Sequence, residues 1–354
     1  MDGHHGALLK KMLSDMERAD PLHRPTHYWR LCSKRLLSDL ERHGIEGFRS
    51  FPSSLYHFVP TYVFGDLAAE KDRFQAVAAR VKGVLEDDPK AGLAMDEFLN
   101  GRAQAMSDYR VYLASYRDKP PFTLDVSESL VGEPVGQACF DGRRYSRSML
   151  NYLLGLNFAK QQLEALPVGT VLEIGGGFGT LGEILSSDPR NESFYIDVDI
   201  PPTALFATYY LRQVLGEDRV ADYSETADSP EIHLDKLRRP GGAAVLCPWQ
   251  LPSLRGRIDL FVNFISFQEM EPPVVESYLE QVRRLEATHV LLRNIREGKQ
   301  IAHDDEQLGV KEATRSEDYD RFLPGYELVA ANVTPFGYRT VDGFHSELRL
   351  YRRK

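Results

Sequence analysis

The chain has 354 residues, of which 42% are hydrophobic and 27% are charged. This composition is ordinary for a globular protein, and the length allows two domains with a sizeable core. The net charge of −9, without a dense Lys/Arg stripe, argues against nucleic acid as a partner. No window approaches about 18 consecutive apolar residues, which argues against a membrane span.

The N-terminus and the cysteines indicate where the protein works. Residues 1–6 lack the basic and then apolar layout of a signal peptide, and we expect this stretch, with its two histidines, to be disordered. Cys32, Cys139 and Cys247 lie far apart and show no metal-ligand spacing, which predicts free thiols in a reducing compartment. We therefore expect a cytoplasmic protein.

Helical spacing of apolar residues dominates the first 140 residues. The predicted helices span residues 7–19, 25–43, 66–86 and 91–117. Gly44 is expected to end the second of them. Residues 48–62 are rich in aromatics and prolines and predict an ordered loop that packs on or covers something, with His57 as a packed side chain. We assign residues 1–140 to a helical domain that serves as a substrate lid or an oligomer contact.

The segment that follows is expected to lead from the helices into a sheet. Residues 128–137 predict an extended, turn-rich stretch, and Asp141-Gly142 is a strong hairpin turn signal. Ser146 is placed to cap a helix that runs towards Pro167. We begin a second domain here, over residues 141–354.

A glycine loop follows the first strand of this second domain. Residues 171–174 are apolar apart from Glu173, and Gly175, Gly177 and Gly179 come directly after them. A strand, a glycine turn and a helix N-terminus present backbone N–H groups to a nucleotide-like ligand. A carboxylate at Glu173 could meet a cation, and S-adenosylmethionine (SAM) carries an ammonium and a sulfonium.

The same loop fits a second cofactor. Gly177-x-Gly179-x-x-Gly182, with Asp197 about 20 residues after the loop, matches the dinucleotide fingerprint and favours an NAD-dependent oxidoreductase. A glycine-rich turn without any ligand is a third interpretation. The helix that runs directly into the strand is more typical of a methyltransferase core.

The next two strands are expected to complete the cofactor site. An acid at the end of the second strand, residues 193–199, can accept hydrogen bonds from both ribose hydroxyls. Asp199 is the first choice for this role and Asp197 the second. Pro248 and Trp249 follow the third strand and would flank an adenine, although a merely packed Trp249 is equally consistent with the sequence.

The later strands are expected to supply the reaction face, because ligands of open α/β sheets bind at the carboxyl ends of the strands. Residues 258–265 form the fourth strand, in which Asn263 is assigned to the cofactor site. Gln268 and Glu269 follow this strand directly. We predict Gln268 as a substrate-binding residue and Glu269 as a catalytic one.

The fifth strand, residues 289–294, ends in two more predicted substrate-binding residues, Asn294 and Arg296. A final strand that runs antiparallel would begin at the same edge, which makes His345 a second catalytic candidate. His289 begins the fifth strand at the opposite edge, so we expect a structural role. We assign no metal site, since residues 303–305 are expected to be a solvated loop.

Several stretches together resemble the sugar O-methyltransferases, a bacterial group of class I SAM-dependent methyltransferases. They are Glu128-Ser-Leu-Val-Gly-Glu-Pro134, the glycine loop, Asp199-Ile-Pro201, Asn263-Phe-Ile-Ser-Phe-Gln-Glu-Met270 and Leu292-Arg-Asn294. The resemblance covers most of the chain, from about residue 25. It implies an α/β fold with a Rossmann-like methyltransferase sheet and a C-terminal antiparallel strand, beside an N-terminal, mostly helical domain.

The resemblance also implies a reaction. We expect a SAM-dependent O-methyltransferase that modifies a hydroxyl of a sugar, glycoside or related natural product, with a small-molecule acceptor as the partner. A methyltransferase for another hydroxyl or an amine, and a SAM-fold protein that binds without transfer, remain open alternatives. An NAD-dependent oxidoreductase is less favoured.

Overall fold

The protein is described from a computed structural model that covers residues 3–63, 71–85 and 87–354. Residues 66–70 and 86 of one predicted helix lie outside the described residues. The helices are α1 (Gly3–Arg18), α2 (His27–His43), α3 (Pro52–His57), α4 (Lys71–Val84), α5 (Pro89–Leu99), α6 (Arg102–Ser115), α7 (Arg147–Gln162), α8 (Thr180–Ser186), α9 (Thr203–Leu215), α10 (Tyr223–Thr226), α11 (Leu234–Leu237), α12 (Pro272–Arg284) and α13 (Ser316–Phe322).

Two short pairs and one large sheet contain the strands. The strands are β1 (Ala138–Phe140), β2 (Arg143–Tyr145), β3 (Thr170–Ile174), β4 (Phe194–Val198), β5 (Val220–Ala221), β6 (Ile232–His233), β7 (Ala243–Leu246), β8 (Leu254–Arg255), β9 (Leu260–Phe264), β10 (His289–Ile295), β11 (Tyr326–Asn332), β12 (Tyr338–Arg339) and β13 (His345–Arg353). β1 pairs with β2, β6 pairs with β8, and the other nine form the large sheet.

The large sheet has the strand order β11-β13-β10-β9-β3-β4-β7-β5, with β12 paired to β13. β9, β3, β4 and β7 are mutually parallel, and β10 continues this direction, whereas β13 runs antiparallel between β10 and β11. An antiparallel last strand inserted at this point is the arrangement of the Rossmann-like class I methyltransferase sheet. The predicted fold class is confirmed.

The strands are buried on both faces, as expected of a covered parallel sheet. Every residue of β3, β4 and β9 is buried. One face carries an apolar core to which α7, α8 and α9 contribute, and the other is covered by α12 and α13. Residues of α1 and α2 belong to the first of these cores, so the N-terminal helices pack directly on the sheet unit. The division at residue 140 remains a prediction.

Local signals around the first turn of the sheet domain are confirmed. β1 and β2 form the hairpin at Asp141-Gly142, whose φ values of 48° and 75° suit a tight hairpin turn. The Ser146 side chain accepts a hydrogen bond from the Met149 N–H at 3.1 Å and caps α7. Gly44 ends α2 with a φ of 76°.

Three element predictions were wrong in part. The helix predicted over residues 7–19 is found as α1, but it also includes residues 3–6, which were expected to be disordered; Leu8, Leu9 and Met12 bury one face of it. The single helix over 91–117 is two helices that break at Gly101, where φ is 74° and an added Cβ would lie 2.2 Å from the Tyr62 carbonyl oxygen. The loop at 48–62 contains α3. None of the described helices is both long and apolar enough to cross a membrane.

Candidate functional site

A cavity of about 210 Å³ lies at the carboxyl edge of the sheet. The glycine loop after β3 and the ends of β4, β7 and β9 form its floor, while α7, α12 and the N-terminal helices form its walls. The lining residues fall between 24 and 29, 55 and 60, 147 and 152, 174 and 178, 198 and 200, and 264 and 278, together with Pro248. Parallel strands of an open α/β sheet place ligand sites at this edge.

The glycine loop opens towards the cavity at one position. Gly175 and Gly177 line the cavity and have φ values of 72° and 70°. A Cβ on Gly175 would lie 2.2 Å from the Ser266 hydroxyl, so this glycine is needed for packing against the β9 loop. The nearest atom to a Cβ on Gly177 would be a Phe58 carbon at 3.6 Å. The space above Gly177 can therefore admit a ligand against the backbone.

Asp199 ends β4 beside this opening and lines the cavity. Its carboxylate accepts hydrogen bonds from the Gly177 N–H at 3.0 Å and the Ile200 N–H at 2.7 Å. Burial raises the pKa of Asp199 to about 7, although these backbone donors oppose the shift. A buried carboxylate that lines the cavity at the end of the second strand is suited to bind ligand hydroxyls.

Glu173 and Asp197 lie beneath the loop instead of in the cavity wall. Glu173 is fully buried, and its carboxylate accepts hydrogen bonds from the hydroxyls of Tyr152 at 2.7 Å and Tyr195 at 2.6 Å. Burial raises its pKa to about 7. Asp197 accepts a 3.3 Å bond from the Gly176 N–H, and burial raises its pKa as well. Glu173 thus fixes Tyr152, which does line the cavity.

Of three further predicted cofactor residues, one lines the cavity and two lie outside it. Pro248 lines the cavity, whereas Trp249 is half-buried outside it and donates its indole N–H to the Tyr223 hydroxyl at 2.8 Å. Gly179 precedes α8 and packs against Leu211.

Asn263, Gln268 and Asn294 form a buried network behind the cavity. The Asn263 amide donates to the Ile174 carbonyl at 2.8 Å and the Ser266 hydroxyl at 2.6 Å, and its oxygen accepts from the Asn294 amide at 3.0 Å. The Asn294 oxygen in turn accepts from the Gln268 N–H at 3.1 Å. None of the three lines the cavity. They hold the ends of β3, β9 and β10 together.

Glu269 is the predicted catalytic residue that reaches the cavity. Its side chain is only 5% exposed, and its two oxygens accept hydrogen bonds from the Lys299 ammonium at 2.6 Å and the Trp29 indole N–H at 3.0 Å. Burial raises the pKa of Glu269 above the usual carboxyl value, against the opposing effect of Lys299. The chain enters this loop through Ile265, which has the unfavourable φ of 75° for a β-branched residue.

The structure does not bring His345 or Arg296 to the cavity. His345 lies at the predicted edge of the sheet, since its carbonyl accepts from the Arg296 N–H, but its ring forms a 2.6 Å contact with Glu297. Arg296 pairs with Glu347 at 2.8 Å in an outer charged groove. Both side chains are held by neighbouring carboxylates instead.

The roles of several residues at the cavity could not be predicted from the sequence, because their contact partners are distant in the chain. Trp29 meets Glu269 across 240 positions, and no spacing signal could have shown this. His57 was expected only to pack, yet it lines the cavity. Its Nδ1 lies 3.1 Å from the Cys32 Sγ, and burial lowers the pKa of His57 to about 4. Lys299, which bonds to Glu269 from outside the cavity lining, lies in a polar loop that carries no sequence signal for this contact.

Metal ligands do not cluster in the part of the chain that the structure describes. No group of three His, Cys, Asp or Glu side chains among the described residues could hold a metal ion.

No protein-family model matches the chain, and the search of curated proteins finds no match at its threshold. Solved structures with a similar arrangement include mitomycin 7-O-methyltransferase, 12% identical over 97% of this chain and 75% of that chain, with a TM-score of 0.37. Magnesium protoporphyrin IX methyltransferase from Synechocystis PCC 6803 with bound SAM is 13% identical over 58% of this chain and 79% of that chain, with a TM-score of 0.37.

A glycopeptide N-methyltransferase complexed with S-adenosylhomocysteine is 13% identical over 56% of this chain and 88% of that chain, with a TM-score of 0.33. Likenesses this distant assign no activity. The fold of this chain is defined by its own strand order.

Proposed function

We propose that the chain is a SAM-dependent O-methyltransferase that acts on a hydroxyl of a sugar, glycoside or related natural product. The observation that carries the proposal is one continuous cavity in which Asp199 and the open side of Gly177 face the same space as Glu269. A donor and an acceptor can therefore be held side by side. Positioning of this kind can lower a reaction barrier by roughly 7–11 kcal/mol in well-oriented systems.

The floor of the cavity fits the methyl donor. The space over Gly177 allows a ligand to approach the backbone, and Asp199 offers carboxylate oxygens to ribose hydroxyls. Pro248 and Ile200 provide apolar contacts at the same end. SAM, when bound, supplies a methyl group that is already electrophilic, so the task of the protein is alignment and removal of the acceptor proton.

Glu269 is the side chain that we propose receives this proton. The carboxylate lines the cavity, and burial keeps its pKa above that of an ordinary carboxyl group, which increases its basicity. Lys299 and Trp29 orient it by one hydrogen bond to each oxygen. A general base contributes about 10²–10⁴-fold in typical enzymes. His345 has no such access and is not included in this role.

The walls above Glu269 suit an acceptor with both apolar faces and hydroxyls. Trp29, Tyr56 and Phe58 supply aromatic surface, and Thr26 donates its hydroxyl to the Glu269 backbone carbonyl at 2.9 Å. Aromatic walls with a few placed polar groups are typical of small-molecule sites. The sugar or glycoside acceptor follows from the family resemblance, with which this lining is compatible.

The test is methyl transfer from SAM to a panel of glycosides, their aglycones and matched amines, with product mass and position as the readout. We expect one methyl group on a hydroxyl of at least one glycoside. Methylation of nitrogen would replace the O-methyltransferase proposal, and SAM binding without any transfer would favour a binding protein. Binding of NAD in place of SAM would contradict the proposal altogether.

A further inference from the structure

A second groove opens beside the cavity, between α2 and α3. It has a volume of about 490 Å³ and is lined by residues 34, 35, 38, 39 and 42 of α2 and residues 52, 53, 56 and 57 of α3. Tyr56 and His57 also line the cavity, so the two spaces adjoin. A ligand whose reacting end lies in the cavity can therefore extend into this α2–α3 groove.

Cations dominate the lining of the α2–α3 groove. Lys34, Arg35 and Arg42 line it, and Asp39 is the one acid among the lining residues. The whole chain has the opposite balance, with 52 acidic residues and 43 Lys and Arg residues. An excess of cations in a concave surface of an acidic protein creates a local positive potential that attracts anions.

The acid of the groove is engaged by α3 and not by the cations. Asp39 accepts hydrogen bonds from the Ser53 N–H at 3.2 Å and the Ser53 hydroxyl at 2.6 Å, both through the same carboxylate oxygen. Among the described residues, Lys34, Arg35 and Arg42 form no ion pair. The three cations are therefore open to an anion from outside the protein.

The spacing on α2 places the donors in a row along the helix. Lys34, Ser38 and Arg42 are four positions apart and so lie on one face. Eight residues of α-helix span roughly 12 Å, which is a longer run of donors than one carboxylate can occupy. A single guanidinium is sufficient to pair with a carboxylate, whereas several Lys and Arg side chains together suit the oxygens of phosphate groups.

Arg35 links the charge of the groove with the cavity. Burial lowers the pKa of the His57 imidazole to about 4, and the charges of Arg35 and Lys299 act in the same direction. His57 is therefore neutral near pH 7 at the point where the groove meets the cavity. The positive charge on this side of the junction comes from the side chains of α2.

We propose that the α2–α3 groove binds a phosphate or diphosphate group of the methyl acceptor while the hydroxyl that is modified lies in the cavity. The inference rests on the proposed function and narrows its acceptor to an anionic one. Lys34, Arg35 and Arg42 supply the positive charge. A sugar phosphate and a nucleoside diphosphate sugar are the two sources of such a group.

Calorimetric titration with pyrophosphate tests the groove without assuming a sugar. We expect saturable binding by the wild type and about 10- to 100-fold weaker binding by Arg35→Gln and by Arg42→Gln, the range of one charge-assisted hydrogen bond. The affinity for S-adenosylhomocysteine should not change in either variant, because neither residue lines the cavity. Arg30→Gln is the matched control, since Arg30 is an exposed cation of α2 that lines neither space.

Glucose 1-phosphate and uridine diphosphate glucose distinguish the two sources. Tighter binding of uridine diphosphate glucose, lost in Arg42→Gln, assigns the groove to a diphosphate, and equal binding of both ligands assigns it to a single phosphate.

Two results would overturn the proposal. They are a wild type that does not bind pyrophosphate up to about millimolar concentration, and a pyrophosphate affinity that Arg35→Gln and Arg42→Gln leave unaltered. Should the wild type bind pyrophosphate in the groove but no S-adenosylhomocysteine, the methyltransferase proposal fails while the anion site is confirmed.

Discussion

Glu269→Gln is the sharpest perturbation of the proposed chemistry, because glutamine keeps the size of the side chain and removes its basicity. We expect kcat to fall about 10²–10⁴-fold, the usual contribution of a general base. This corresponds to a rise of roughly 3–5 kcal/mol in the activation barrier, at about 1.4 kcal/mol per tenfold change in rate. The affinity for S-adenosylhomocysteine should change little, since other residues form the floor of the cavity.

The same substitution also has a structural cost that must be measured separately. An amide cannot accept hydrogen bonds at both of its heavy atoms, so one of the two donors, the Lys299 ammonium or the Trp29 indole, loses its acceptor. A buried donor left unpaired costs about 1–3 kcal/mol. The 19% exposure of the Lys299 side chain places the expected loss towards the lower end. Equilibrium unfolding in urea gives this quantity directly.

Two variants separate catalysis from stability. Glu271→Gln changes a carboxylate in the same segment that accepts the Lys311 N–H and lies outside the cavity, so it should retain wild-type kcat. Lys299→Met removes the cation that lowers the pKa of Glu269, and should move the acid limb of the kcat profile to higher pH. Wild-type turnover by folded Glu269→Gln protein would refute the assignment of the base.

Three further predictions concern the floor and the support of the cavity. Asp199→Asn should weaken S-adenosylhomocysteine binding about 10- to 100-fold in calorimetry, and unchanged affinity would remove Asp199 from the ribose site. Gly175→Ala should destabilise the fold, since the new Cβ would lie 2.2 Å from Ser266. Gly177→Ala has room for its Cβ, with backbone strain of about 1–2 kcal/mol from the positive φ, and should mainly reduce ligand affinity. If both variants changed Tm and affinity equally, this difference between the two glycines would be contradicted. Burial raises the pKa of the Glu183 carboxyl group to about 7, above the value near 4.5 expected in the unfolded chain. The protonated side chain therefore contributes to stability below about pH 4.5, and this contribution is lost as pH rises through about 7. The free energy of urea unfolding should depend less on pH in Glu183→Gln than in the wild type, and an identical pH dependence would argue against the shift.

Features set by neighbouring residues could be predicted from the sequence. The glycine loop, Asp199 at the end of β4 and Glu269 after β9 all follow from strand ends at the carboxyl edge of a parallel sheet. The hairpin at 141–142 and the cap of α7 are likewise local and were predicted correctly. Local sequence patterns are therefore sufficient to predict which residues form the floor of the cavity.

Features set by packing between distant segments could not be predicted. His345 reaches the expected edge, yet its ring is held by a 2.6 Å contact with Glu297 outside the cavity. Glu173 has the expected burial, but the hydroxyls of Tyr152 and Tyr195 occupy both of its oxygens. Trp29 reaches Glu269 only because α2 packs over the β9 loop, which no periodicity reveals. The walls of the cavity depend on such long-range contacts.

Calorimetric titration of the wild-type protein with S-adenosylhomocysteine tests the central claim most directly, because donor binding requires the glycine loop, Asp199 and the cavity to act together. We expect saturable binding at one site per chain, accompanied by a rise in Tm that grows with ligand concentration. NAD under the same conditions should neither bind nor raise Tm. Absence of S-adenosylhomocysteine binding up to about millimolar concentration, or tighter binding of NAD, would contradict a methyl-donor site in this cavity.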